Sequence, residues 1–125
     1  MLVFMKALFD TNIIIDALGG HGVAQREIVA YPDGAISVVT YVEVMAGTFP
    51  HNEDAARALL LKFKIIDIDV DIADYAVTLR QDRGLSLTDA LIVATAQASG
   101  RVLITRDTKL VNELDDPPVR VPYRV

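Results

Sequence analysis

The sequence predicts an α/β protein with three layers, an α/β/α sandwich built around a central, mainly parallel and twisted sheet. Apolar runs of strand length alternate with helical segments from end to end, which is typical of parallel sheets with right-handed crossovers. The runs are apolar at consecutive positions, as expected for strands that are buried on both faces. The length of 125 residues and the lack of a long linker predict one domain, residues 1–125.

The first half of the chain is predicted to contain two strands, each followed by two helices. The first strand is an apolar run interrupted only by Lys6, and Asp10-Thr11-Asn12 follows it as a helix cap. Glycines and a Tyr-Pro-Asp-Gly turn mark the points where the helices end. The predicted elements are strands at 2–9 and 35–39 and helices at 13–18, 23–29, 40–46 and 52–63.

The second half continues the alternation with three shorter strands. Gly84 and Gly100 are predicted to end two helices, the second of which begins at a cap formed by Thr88. An Asp-Asp-Pro-Pro loop precedes the last strand. The predicted elements are strands at 64–69, 102–105 and 119–121 and helices at 72–83, 88–99 and 107–114.

The composition is that of a globular protein, with 52% apolar and 23% charged residues. The absence of cysteine excludes disulfides, thiolate chemistry, iron–sulfur clusters and cysteine-type zinc sites. The longest uncharged stretch, residues 90–100, is shorter than the roughly 20 residues of a membrane helix. No signal peptide is recognisable at the start, so we expect a cytoplasmic protein. His21 and His51 are isolated and are expected at the surface.

The net charge of −5 is unfavourable for binding nucleic acid through overall electrostatics. If the substrate is a polyphosphate, a bound metal, a basic rim or a basic partner must reverse the sign locally. Candidates for a basic rim are Arg80, Arg83, Arg101 and Arg106.

Four acids stand at positions where a parallel sheet would gather them. Asp10 directly follows a predicted strand, and Asp107 comes two residues after the end of another. Glu43 lies in the first turn after a third predicted strand. Ligands bind such sheets outside the carboxyl ends of the strands. Asp89, in the first turn of a helix, would join the group if that helix starts at the same edge.

Such a cluster predicts metal-dependent hydrolysis of phosphodiester bonds. Two unit charges 4 Å apart repel by about 4 kcal/mol at an effective dielectric constant near 20, so without metal some of these acids should have raised pKa values. An all-oxygen ligand set suits Mg²⁺ or Mn²⁺. Such ions stabilise the attacking and leaving oxygens of an in-line displacement at phosphorus.

Each acid also has an ordinary structural interpretation. Thr40 and Glu43 fit a capping box, Asp89 suits a helix dipole, and Asp107 suits a helix cap. Asp10 is harder to explain in this way, because it ends a buried apolar strand. Four further acids are expected to form a solvated face with helix capping: Asp67, Asp69, Asp71 and Asp74. Asp16 lies nearly two turns into the first helix and either supports the site from behind or, as the preferred interpretation, is exposed to solvent.

Four segments resemble the motifs of PIN-domain ribonucleases, in the same order and across nearly the whole chain. They are residues 9–16 (FDTNIIID), 37–47 (SVVTYVEVMAG), 87–96 (LTDALIVATA) and 103–107 (LITRD). The length resembles the VapC-like toxins of type II toxin–antitoxin pairs. Members often begin where Met5 stands, so residues 1–4 are candidates for an alternative start or an addition.

The resemblance implies an Mg²⁺- or Mn²⁺-dependent endoribonuclease that acts as a toxin. It implies an RNA substrate, a homodimer and a small antitoxin whose basic or aromatic segment fills the acidic groove. Thr11, Asn12 and Thr105 match supporting polar positions. The implied catalytic and metal-binding residues are Asp10, Glu43, Asp89 and Asp107.

Three other functions are alternatives for an α/β domain with acids at its strand ends. A receiver-type signalling domain would need an acidic pair after its first strand and a Lys-Pro pair, and a haloacid-dehalogenase-type phosphatase would need an acid where Asn12 stands. The third alternative is a PIN-like binding or scaffold module without nuclease activity, which the presence of all four acids does not favour.

Overall fold

The computed structural model of the protein describes residues 5–48 and 50–125. Strands and helices alternate along these residues as the sequence predicts. The strands are β1 (Ala7–Phe9), β2 (Ala35–Ser37), β3 (Lys64–Ile66), β4 (Val102–Ile104) and β5 (Val119–Arg120). The helices are α1 (Thr11–Leu18), α2 (Gly22–Ala30), α3 (Val38–Thr48), α4 (Glu53–Leu60), α5 (Val70–Arg83), α6 (Leu87–Ser99) and α7 (Lys109–Glu113).

The five strands form one parallel sheet in the order β3-β2-β1-β4-β5. The strand order reverses at β1, because the chain first builds outward to β3 and then returns to add β4 on the other side. This reversal separates the loops that leave β1 and β4, and it opens a crevice at the carboxyl edge of the sheet. The predicted α/β class is therefore confirmed.

Helices cover both faces of the sheet, which confirms the three-layer arrangement. Alternate side chains of β1 point to opposite faces. Phe9 joins a core cluster with α1 and α4, and its ring makes edge contacts with Tyr31 and Phe63. Leu8 packs on the opposite face against Ile92 of α6. The burial of β1 on both faces explains its continuous apolar sequence.

Several predicted boundaries were wrong by a few residues. The second strand ends at Ser37, whose side chain accepts a hydrogen bond from the backbone of Val39, so α3 begins earlier than predicted. Ser86 caps α6 rather than Thr88, because its Oγ accepts from the amide of Asp89 at 3.2 Å. Strands β3, β4 and β5 are shorter than predicted, and positions 2–4 of the first predicted strand lie outside the described residues.

Two helix ends follow the expected glycine chemistry. Gly84 and Gly100 adopt left-handed backbone conformations, with φ values of 67° and 65°, directly after α5 and α6. Within the described part of the chain, no helix is both long enough and apolar enough to cross a membrane.

Candidate active site

Asp10 leaves β1 at the carboxyl edge of the sheet and is the N-cap residue of α1. The residue is only 6% exposed. One carboxylate oxygen accepts from the amide of Thr11 at 2.7 Å, and the other accepts from the Thr105 hydroxyl at 2.8 Å. These bonds fix the orientation of the carboxylate where β1 and β4 end side by side.

Burial raises the pKa of Asp10 from 3.8 to about 6. The hydrogen bonds from Thr105 and from the amide of Thr11 lower the pKa in part, whereas the charges of Asp89 and Glu43 raise it further. Asp10 therefore lies in the electrostatic field of two other predicted site residues. The pKa of Asp10 is thus raised in the expected direction, but burial rather than repulsion among the acids is the largest cause.

Glu43 is connected to Asp10 through Thr11. The Thr11 hydroxyl donates to Oε1 of Glu43 at 2.6 Å, and it also lies 3.0 Å from the hydroxyl of Thr40. A capping box would instead direct Glu43 to the start of its own helix. The observed partner is a different helix, α1, so the capping-box interpretation is wrong for this residue.

Thr105 connects the ends of β1 and β4. Besides donating to Asp10, its fully buried hydroxyl accepts from Nδ2 of Asn12 at 3.2 Å and from the amide of Asp107 at 3.0 Å. Oδ1 of Asn12 in turn accepts from the amide of Arg106 at 3.3 Å. The structure thus brings the three predicted supporting residues into contact with the predicted acids.

Asp107 and Asp89 enter this edge from two helix starts. Oδ1 of Asp107 accepts from the amide of Lys109 at 3.0 Å, although the N-cap residue of α7 is Thr108 and not Asp107. Both acids are partly exposed. Thr11 and Thr105 form hydrogen bonds with three of the four predicted acids, Asp10, Glu43 and, through its amide, Asp107. The fourth, Asp89, makes no hydrogen bond to this group among the described side chains, but its charge raises the pKa of Asp10.

The preferred interpretation of Asp16, simple exposure to solvent, is wrong, and its contacts fit the alternative of a supporting position. Its carboxylate accepts from Nε of Arg106 at 2.8 Å and from the hydroxyl of Tyr123 at 2.7 Å. His21 was also expected at the surface, but it is half-buried, stacks on the Tyr123 ring at 4.2 Å and caps α2. Local sequence gave no sign of these contacts, because Tyr123 comes from the far end of the chain.

The predicted basic rim is only partly correct. Arg106 lies at the carboxyl edge of the sheet, where its pairing with Asp16 holds it. Arg101 is buried at the opposite edge, where it donates to the carbonyl oxygens of Ala7 and Asp33 at 3.0 and 2.8 Å. Its position before β4 places it at the amino end of that strand. The other two candidates, Arg80 and Arg83, are exposed on α5.

The donor chemistry of the site fits a hard divalent cation. Asp10 has no cationic partner among the described side chains, and its nearest polar neighbours supply only oxygen and amide groups. Among the side chains that the structure describes, no three acidic or histidine groups converge tightly enough to form a complete metal cage. Mg²⁺ does not need such a cage, because it is commonly held by one or two carboxylates and keeps several waters.

Comparisons with known proteins agree with this geometry. A chain of a toxin–antitoxin complex from Klebsiella pneumoniae is 45% identical over 96% of this chain and 100% of that chain, with a TM-score of 0.87. VapBC2 from Rickettsia felis bound to a promoter DNA fragment and FitAcB from Neisseria gonorrhoeae share the fold at 22% identity, with TM-scores of 0.78 and 0.76. They cover 93% and 96% of this chain, and 98% and 100% of their own chains are matched. No curated protein matches the sequence. The model of the PIN domain matches residues 7–115, and the chain therefore belongs to the PIN-domain family.

Proposed function

We propose that this protein is a metal-dependent endoribonuclease that hydrolyses RNA phosphodiester bonds and acts as the toxin of a toxin–antitoxin pair. The observation that carries the proposal is the buried carboxylate of Asp10 at the carboxyl edge of the sheet. It has no cationic partner among the described side chains, although Glu43 and Asp89 repel it. A buried acid in such surroundings is destabilising unless a cation binds nearby, and perturbed acids of this kind concentrate at functional sites.

Asp10, Glu43, Asp89 and Asp107 are the residues that would hold Mg²⁺ or Mn²⁺. When bound, such an ion supplies a Lewis acid that stabilises negative charge on phosphate oxygens and makes water more acidic. Because the ligands are carboxylates, hard cations with a preference for oxygen are favoured over zinc or copper.

The chain itself contributes orientation around these acids. Thr105 holds one oxygen of Asp10, and the amide of Thr11 holds the other, so rotation of the carboxylate is restricted. The hydroxyl of Thr11 holds Glu43 at a fixed distance from α1. Asn12 braces Thr105 and the backbone of Arg106. Restricting these groups before substrate binds reduces the reorganisation that the reaction would otherwise require.

The toxin role rests on relatives rather than on the site alone. The 45% identical chain belongs to a toxin–antitoxin complex, and the family model covers most of this sequence. A net charge of −5 suits a small antitoxin that inserts a basic segment into the acidic crevice. We further propose that the toxin is a homodimer, binds its antitoxin as a hetero-oligomer and acts on RNA in the cytoplasm.

The test is cleavage of a purified transfer RNA pool by the isolated protein with Mg²⁺ or Mn²⁺. We expect discrete fragments, and their loss when EDTA is added or when Asp10→Asn replaces the wild type. Asp71→Asn is the matched control, since it makes the same chemical change at an exposed position of α5. This control should cleave like the wild type.

Cleavage that persists in Asp10→Asn would overturn the assignment of the site. If a panel that also includes ribosomal and messenger RNA stays intact while the protein binds a partner, the domain is a binding or scaffold module instead. Cleavage that survives EDTA would argue against a metal-dependent reaction.

A further inference from the structure

A second feature adjoins the acidic crevice on the side of α7. It is a cleft of about 480 Å³ between the start of α7 and the C-terminal residues, and we call it the basic cleft. Three cationic residues, Arg106, Lys109 and Arg124, line it. Asn12 and Asp107 also line it, so the cleft opens directly beside the proposed catalytic acids. The volume lies within the roughly 300–1,000 Å³ of ordinary ligand pockets.

Arg106 is held in a defined orientation in this cleft. Its Nε and Nη2 donate to the two carboxylate oxygens of Asp16 at 2.8 and 3.5 Å. These bonds occupy one side of the guanidinium, and no protein acceptor for Nη1 is found among the described residues. An arginine that is already fixed loses less side-chain entropy when it binds a phosphate.

The C-terminal residues complete the cleft because Tyr123 anchors them. Its hydroxyl donates to Asp16, and its ring stacks on His21. Burial and the hydrogen bond to Asp16 raise the pKa of Tyr123, so the phenol stays protonated and remains a donor. The anchor places Arg124, the next residue, at the cleft.

The charge of this cleft is opposite to that of the whole protein. The protein has a net charge of −5, whereas the side chains that line the cleft include Lys109, Arg124 and the Asp16-paired Arg106 against one acid, Asp107, which leaves a small local excess of positive charge. Neither Lys109 nor Arg124 pairs with an acid among the side chains that the structure describes. The polyanionic substrate of an acidic nuclease needs such a local reversal of sign.

We propose that the basic cleft binds a backbone phosphate of single-stranded RNA beside the phosphodiester that is cleaved. This inference rests on the proposed nuclease function and adds a substrate subsite to it. Arg106 would bind the phosphate with its unoccupied guanidinium edge, and Lys109 and Arg124 would contribute charge from two sides. Contacts of this kind position the strand without reading its sequence.

The test measures RNA binding and cleavage for the Lys109→Gln/Arg124→Gln double variant. Binding of a 12-nucleotide random-sequence RNA pool is measured as a function of salt in an Asp10→Asn background, which prevents cleavage. Cleavage of the same pool is measured with the Asp10 side chain intact. The matched control is Lys62→Gln/Lys64→Gln, which removes the same charge from exposed residues at the amino end of β3.

We expect the slope of log K against log salt to fall in magnitude by about 0.7 in the cleft variant, since the cleft binds one phosphate and each neutralised phosphate of a single strand contributes about 0.7. Affinity at about 0.1 M salt should fall on the order of tenfold, and kcat/KM should fall equally with kcat little changed. The control should retain the wild-type slope.

The outcomes separate the cleft from the nuclease function. If the wild type cleaves RNA and the cleft variant keeps the wild-type slope, the cleft proposal is wrong and the nuclease function stands. An equal loss of slope in the control variant also overturns it, because a general charge effect would then explain the result. If the cleft variant alone loses slope while the wild type cleaves no RNA, the cleft binds RNA and the nuclease function is wrong. No RNA binding by any variant overturns both.

Discussion

Replacing Asp10 by Asn should stabilise the metal-free protein at neutral pH, even though it removes the central acid of the candidate site. The folded protein raises the pKa of Asp10 from 3.8 to about 6, so it binds this proton more tightly than the unfolded chain does. Between these two pH values the native state carries more protons, and the free energy of unfolding falls as pH rises. The loss of stability caused by ionised Asp10 is absent below about pH 4 and reaches its full size above about pH 6.

The pKa values set the size of this effect. A shift from 3.8 to about 6 is roughly two units, and at 1.36 kcal/mol per unit it corresponds to about 3 kcal/mol. The Asn variant keeps the acceptor for the amide of Thr11. Its other terminal atom is an amide nitrogen, which cannot accept the hydrogen bond from the Thr105 hydroxyl. The loss of this hydrogen bond should lower the free energy of unfolding by about 1 kcal/mol. The variant should therefore be about 2 kcal/mol more stable than the wild type at pH 7 and about 1 kcal/mol less stable at pH 4.

The assay is urea unfolding followed by circular dichroism in EDTA, for both proteins at several pH values from 4 to 7. The difference between the two proteins cancels contributions from the other titrating groups. It should change by about 3 kcal/mol over this range. A difference that stays constant within about 0.5 kcal/mol would refute the raised pKa. With Mg²⁺ at pH 7, the wild type should gain stability and Asp10→Asn should gain much less, since binding to the native state stabilises it by mass action.

Three further predictions concern residues outside the carboxylate group. Gly34→Ala should destabilise by about 1–3 kcal/mol in urea unfolding, because the new Cβ would lie 2.8 Å from the buried Phe9 ring; an unchanged midpoint would contradict this packing. Arg101→Met should cost roughly 1–3 kcal/mol by leaving two backbone carbonyls without their donor, and it should leave RNA cleavage by the remaining folded protein unchanged. Tyr123→Phe should cost about 1.5 kcal/mol, since it removes the hydrogen bond to Asp16 but keeps the stacked ring; thermal melts that match the wild type would show that this bond contributes little.

The sequence could predict the acidic edge because the relevant signals are local and the topology is regular. Asp10 and Asp107 come shortly after buried apolar strands, and parallel strands place their carboxyl ends at one edge. Glu43 lies in α3, which begins directly after β2, so it is also close to the carboxyl edge of the sheet. Their approximate arrangement therefore required only the correct strands and helices, and errors of a few residues in the boundaries did not change the edge at which each acid lies.

The contacts of Asp16 and Arg101 could not be inferred in the same way. Asp16 is bound by Arg106 and Tyr123, which are far away in the sequence, and only the packed tertiary structure brings them together. For Arg101 a usable signal did exist, because a residue immediately before a parallel strand lies at the amino edge, opposite the predicted site. Charge alone identified it as a rim candidate, and its position relative to β4 would have excluded it.

The ion pairs among the described side chains involve other acids and leave the carboxylate of Asp10 without a cationic partner. Among the described side chains, arginine neutralises Asp16 and Glu27, which lie beside the crevice and on α2. Asp10 receives hydrogen bonds instead, which orient its carboxylate without neutralising its charge. A salt bridge to Asp10 would lower its pKa and stabilise the empty protein, but it would also compete with a divalent ion for the same oxygens. A cation that binds beside Asp10 would relieve the destabilisation that the ionised carboxylate causes in the metal-free protein, and this relief would favour binding. The apolar core on both faces of the sheet stabilises the fold enough to tolerate that destabilisation.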